Sequence, residues 1–167
     1  STRMSGTRKR KPGRTPSVPR IEFGVRSARL PSRRHFRRWA AAALYRHADF
    51  TLRIVGAREA RRLNRDYRGR DYATNVLTFV YSPRAPLAGD IVICAPVVAR
   101  EAGTKQGARE AHFAHLTVHG VLHLQGHDHV RAVDAVRMER REARILAKLG
   151  YADPYAPRAA PRTKARR

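Results

Sequence analysis

Six of the eight histidines of this 167-residue chain fall between His112 and His129, in the stretch AHFAHLTVHGVLHLQGHDH. Ordinary packing seldom concentrates imidazoles in this way, so the cluster needs a chemical reason. On a helix turning about 100° per residue, His119 and His123 stand one turn apart on the same face, which lets two imidazoles share one metal. Gly126 then supplies a natural helix end, after which the chain can turn back and bring His129 in from a third direction.

The pattern His119-x-x-x-His123-x-x-Gly126-x-x-His129 supplies three nitrogen ligands and leaves the fourth position of a tetrahedral zinc open for water or substrate. An open position implies catalysis, whereas a structural site is normally closed by a fourth ligand, often cysteine; Cys94 is far away in sequence. Imidazole-only ligation suits Zn²⁺ best, one ion per chain. A histidine pair at this spacing, taken alone, is more often packing or surface; the third histidine and the glycine between reverse that reading. His115 lies on the same face one turn earlier and competes with His119, but choosing it leaves His129 without a role. His127 could replace His129 if the turn differed by one residue. Asp128 could accept an imidazole N–H and fix its tautomer, or be a solvated turn aspartate.

The spacing has a metzincin-like geometry, which raises the alternative of a metallopeptidase. The protease helix signature His-Glu-x-x-His, however, places a glutamate after the first ligand as general base, and here that position is Gly120. A substrate carrying its own phosphate needs no such base, because metal and arginine can activate it. His127 or Asp128 could relay protons.

The charge agrees with a phosphate-bearing partner. The formal charge is +23, and the basic residues are overwhelmingly arginine, which favours bidentate phosphate contact and stacking on bases. Residues 1–20 hold seven basic residues, three prolines and no acid, and residues 151–167 hold five basic residues, three prolines and one acid. Both are expected to be disordered basic arms flanking a folded domain at 21–150. The lone cysteine excludes an internal disulfide framework and suits a reducing compartment, the cytoplasm. The longest apolar run, Ile91–Ala99, is nine residues long and contains Pro96, so no membrane span is expected.

Alternation predicts strands at 21–25, 49–55, 75–81 and 90–94, and helical spacing predicts helices at 32–47, 57–67, 96–102, 108–125 and 130–149. This order implies a single α+β domain, about four strands of mixed sheet packed with about five helices, with the metal site on the long central helix and the following turn.

Three blocks, in order, resemble the YbeY family of bacterial metal-dependent endoribonucleases. HGVLHLQGHDH matches that family's His-Gly-x-Leu-His-Leu-x-Gly-Tyr-Asp-His, LNRDYRGRDYATNVLTF its Leu-Asn-x-x-Tyr-Arg segment, and GDIVIC its Gly-Asp-Ile strand. The departures are His127 for tyrosine, Ala73 for proline, Thr78 for serine and Val80 for proline. The resemblance implies that His119, His123 and His129 bind one zinc and that Arg68 is the arginine important for function beside the cleft. It also implies maturation of ribosomal RNA near the 3′ end of the small-subunit (16S) rRNA and ribosome quality control, with the small subunit and ribosome-associated proteins as partners. The competing reading is a ribosome-associated RNA-binding factor that does not cleave and whose zinc is structural.

Overall fold

The computed structural model describes residues 17–27, 29–127 and 131–157. The described chain runs β1 (Arg20–Phe23), α1 (Arg33–Ala43), β2 (Ala48–Val55), α2 (Ala57–Arg68), β3 (Val76–Ser82), β4 (Leu87–Cys94), α3 (Ala95–Ala102), α4 (Ala108–Leu124) and α5 (Ala132–Leu149). The strands form one mixed sheet in the order β1-β2-β4-β3. β1 and β2, and β2 and β4, are parallel, while β3 runs antiparallel to β4 along the edge. Four strands and five helices in one α+β layer arrangement are what the sequence periodicity implied.

β4 sits inside the sheet and is covered on both faces, which explains why GDIVIC reads as nearly continuous apolar sequence. Ile91 and Ile93 face the larger core, with Phe36, Trp39, Phe113, Val121 and Leu122. Val92 and Cys94 face a smaller cluster with Val55, Ala60, Leu77 and Val97. α4 lies against the first face and buries nine of its residues, Phe113 to Leu124, nearly all round its circumference. The histidine-bearing helix is therefore the central helix of the domain.

Two glycines set how closely the layers approach. A Cβ on Gly120 would stand 2.7 Å from Ile91 Cγ2, and one on Gly89 would stand 2.2 Å from the Phe79 carbonyl oxygen and 2.5 Å from Leu124 Cδ1. At the far end of α4, Gly126 adopts φ +94°, and the His127 N–H reaches the Leu122 carbonyl at 3.1 Å while the Gly126 N–H reaches that of His123 at 3.0 Å. These paired bonds end the helix in the left-handed turn that glycine permits.

α1 stops at Ala43, four residues short of the expected end, because its last turn is intercepted by a distant side chain. Gln125, 4% exposed, accepts from the Tyr45 and Arg46 N–H groups at 2.9 and 3.0 Å and donates to the Ala43 carbonyl at 2.9 Å. The expected arms also need correction at their inner ends. Ser17 Oγ accepts from the Ala48 N–H at 3.0 Å, and Arg20 is already in β1, paired with Thr51. Past α5, Tyr151 packs edge-on against Trp39 with ring centroids 6.1 Å apart and donates to Glu110 at 2.6 Å. The remainder of both expected arms, 1–16 and 158–167, lies outside the described residues. No described helix is long and apolar enough to cross a membrane.

Gly89→Ala is expected to lower stability by about 1–3 kcal/mol, because backbone of β3 must shift to admit the methyl group. Urea unfolding followed by circular dichroism measures it, and a midpoint equal to that of the parent would show that the β3–β4 contact yields without cost.

Candidate metal centre

α4 presents a ladder of imidazoles. His112 and His115, His115 and His119, and His119 and His123 have ring centroids 6.1, 6.3 and 6.4 Å apart. The ladder is met from α5 by Glu142, whose side chain has no exposed surface. One Glu142 oxygen lies 2.5 Å from His119 Nδ1, and the other lies 3.0 Å from His115 Nε2 and also accepts from the Tyr155 hydroxyl. Burial pushes the Glu142 carboxyl upward, but the hydrogen bonds from His115, His119 and Tyr155 more than offset it and hold it at about 2. The same contact raises the Tyr155 hydroxyl well above the usual range, through burial and the hydrogen bond to the carboxylate.

An ionised carboxylate only accepts hydrogen bonds, so the imidazole nitrogens facing it carry the hydrogens. For neutral His119 this puts the hydrogen on Nδ1 and the lone pair on Nε2, the arrangement in which a carboxylate orients a metal-binding histidine. The donor set therefore fits a divalent metal ion. Ligand atoms of His115, His119 and Glu142 also lie within 4.8 Å of one another, so this triad could itself hold a metal. His115, set aside from sequence alone, thus belongs to the same network as His119.

His119 and His123 open onto a cleft of about 460 Å³ whose other walls are Tyr67, Arg68 and residues 74–79. Arg68 is the last residue of α2, followed by Gly69 at φ +68°. The turn beyond is held by buried Asn64, whose amide donates to the Tyr72 carbonyl at 2.8 Å, and by a two-pronged Arg61–Asp71 ion pair at 2.8 and 2.9 Å. Asn75 donates to Glu101 on α3 at 3.0 Å, and its carbonyl accepts from the Cys94 N–H at 2.9 Å. These bonds fix the loop from Arg68 to β3, so Arg68 at the end of α2 and the two histidines of α4 face one space from two elements, with β3 as its third wall. Among the described residues Arg68 makes no ion pair, which leaves its guanidinium available to a ligand.

Of the residues singled out in the sequence, Arg68, His119 and His123 come together. His127 does not: its Nε2 lies 2.7 Å from the Tyr45 hydroxyl and 2.9 Å from Arg141 Nη1, and it lines a different pocket. Burial, and secondarily the Arg141 charge, lower its pKa. Asp128 and His129 lie outside the described residues. Glu142 and Tyr155 were missed, since nothing local distinguishes Glu142 from the other acids of a charged helix. The buried place of Gly120 gives a packing reason for the missing glutamate: a side chain there would enter Ile91, not the cleft.

The sequence profile described as Endoribonuclease YbeY matches residues 32–150. The chain belongs to the YbeY endoribonuclease family. A protein named Endoribonuclease YbeY from Aromatoleum aromaticum is 61% identical over 140 residues, covering 84% of this chain and 91% of that one. One of the same name from Nitrosomonas eutropha is 53% identical over 135 residues, covering 81% and 96%. The solution structure of TM1509 from Thermotoga maritima shares the fold, with a TM-score of 0.50 and 22% identity over 84% of this chain and all of that one. The YbeY match contains the cleft, the histidine ladder and Glu142, and ends before Tyr155.

Glu142→Gln keeps the shape but removes the charge that selects the His119 tautomer, so metal affinity should fall about 10–100-fold in competition with a chromophoric chelator. Unchanged affinity would mean that another group orients His119. Tyr155→Phe should cost about 1.5 kcal/mol in urea unfolding, the worth of one hydrogen bond to a carboxylate.

Proposed function

We propose that this chain is a zinc-dependent endoribonuclease that cleaves single-stranded RNA, with His119, His123 and His129 holding the metal and Arg68 holding the scissile phosphate. The observation that carries this reading is the shared cleft: Arg68 faces the two helix histidines in a space of about 460 Å³. Family membership, and relatives named for endoribonuclease activity, support it. The metal, when bound, would supply a Lewis acid for a phosphate oxygen or lower the pKa of a bound water.

The protein's own groups divide the remaining work. The Arg68 guanidinium can hold two phosphate oxygens at once and oppose the charge that grows on them as the transition state forms. Glu142 keeps His119 in one tautomer and one orientation. Tyr67, exposed and packed edge-on against Phe79 at 5.1 Å, offers a ring at the cleft wall on which a base can stack. Residues 76–79 belong to an edge strand and bring backbone polar groups to the same wall. We assign the substrate to ribosomal RNA, near the 3′ end of the small-subunit rRNA. Its setting would be the cytoplasm, on the small subunit and beside other ribosome-associated proteins. Sequence specificity would come from that setting, since no separate RNA-recognition module is visible in the sequence.

Purified protein of known zinc content should cut a labelled precursor of the small-subunit rRNA 3′ end, and chelation should abolish the cut. Arg68→Ala is expected to lower the rate about 10²–10³-fold with RNA binding largely kept, and His123→Ala to abolish cleavage in a folded protein. Equal weak cutting by all three proteins would indicate contamination and favour an RNA-binding factor with structural zinc.

A further inference from the structure

A second basic surface lies outside the cleft. Arg137, Arg140, Arg141 and Arg144 follow one another at i, i+3, i+4 and i+7 on α5, and together with Gly126, His127 and Asp134 they line a pocket of about 560 Å³. Like charges at these spacings repel and weaken a helix. They stand mid-helix, out of reach of the dipole that favours cations in the last turn. Among the described residues none of the four forms an ion pair with a carboxylate, whereas Arg53 and Arg61 do. Among the described residues the one acid lining the pocket, Asp134, already pairs with Arg131 at 2.8 Å.

Arg141 is positioned without being neutralised. Its Nη1 donates to His127 Nε2 at 2.9 Å, and its guanidinium carbon lies 5.0 Å over the Tyr45 ring. Because arginine only donates, His127 Nε2 must be the acceptor, so an uncharged imidazole and an aromatic face hold the cation in place. Tyr45 remains half exposed beside the pocket. Uncompensated guanidinium groups interleaved with an accessible aromatic ring match a nucleic-acid strand better than an acidic peptide, which has no planar bases to stack.

The pocket also adjoins the cleft. His123 lines one and Gly126 and His127 line the other, so the last turn of α4, about 5.4 Å of rise, separates their walls. We propose that the α5 arginine stripe is a phosphate-binding subsite that holds the same RNA strand beyond the nucleotide in the cleft. This extends the endoribonuclease reading and rests on it for the continuity of the strand. The stripe adds affinity and direction for long substrates and takes no part in the bond broken.

The test uses the full chain carrying Arg137→Ala, Arg140→Ala and Arg144→Ala together, all exposed positions. A control of equal net charge carries Arg34→Ala, Arg37→Ala and Arg58→Ala. Circular dichroism confirms that both fold. Binding of a fluorescein-labelled 20-nucleotide single-stranded RNA is followed by anisotropy across a salt series, with chelator present so that no RNA is consumed. The α5 variant should bind at least about 10-fold more weakly near 0.15 M salt, and the slope of log affinity against log salt should flatten by about 2, the loss of three phosphate contacts. In cleavage, KM for the long RNA should rise with kcat unchanged, while a trinucleotide too short to leave the cleft is cut equally well. An equal loss in the control variant, or an unchanged salt slope, overturns the subsite. So does retained RNA affinity with lost binding of a poly-glutamate peptide, which would assign the stripe to an acidic protein segment. Weakened binding in a protein that cuts no RNA would sink the nuclease reading and leave the stripe as an RNA-binding surface.

Discussion

A carboxylate with no exposed surface organises this domain. Glu142 carries a full charge inside the protein, a costly placement unless its lone pairs are filled, and His115, His119 and Tyr155 fill them. In doing so it joins α4, α5 and the segment that follows α5. It also sets which nitrogen of His119 carries the hydrogen, so one buried charge sets both the packing of three segments and the protonation pattern at the cleft.

The second constraint is distance. α4 approaches the sheet closely because Gly120 presents only hydrogen to Ile91 and Gly89 lets Leu124 and β3 close over β4. That approach carries His119 and His123 down to the wall formed by β3, where the end of α2 delivers Arg68. A protease-type glutamate at position 120 would push the helix away from the sheet. Packing at the centre of the domain thus accounts for a residue whose absence first registers as a chemical fact. Gln125 completes the arrangement by tying the end of α1 to the end of α4, so the turn that leads toward His129 starts from an anchored point.

Surface charge is not spread evenly in function. Arg53 and Arg61 are engaged by carboxylates and hold structure, whereas among the described residues Arg68 and the α5 stripe form no ion pair with one. The two uncompensated groups sit on either side of the last turn of α4. In the proposed reading a polyanion crossing that turn would meet arginine in both pockets, which gives the strong positive charge of the chain a direction.

The sequence by itself determined what repeats locally. Alternation located four strands, helical spacing located five helices, and the histidine spacing with Gly126 located a histidine-bearing helix face and the helix end, because those signals lie within a few residues of one another. It also carried the family, through three blocks in order. What it left out are groups that meet across long separations: Glu142 with His119, Gln125 with Tyr45, Tyr155 with Glu142, and Arg141 with His127. Each is an ordinary polar residue on its own segment and gains its role only from a partner brought by folding. His127 shows the difference most plainly: one of six clustered histidines in the sequence, it faces Tyr45 and Arg141, away from the cleft, because the left-handed turn at Gly126 rotates the chain out of the helix before it. Local periodicity specifies elements and faces, while the burial of charge and the closeness of layers are properties of the assembled core, and only the tertiary structure decided them.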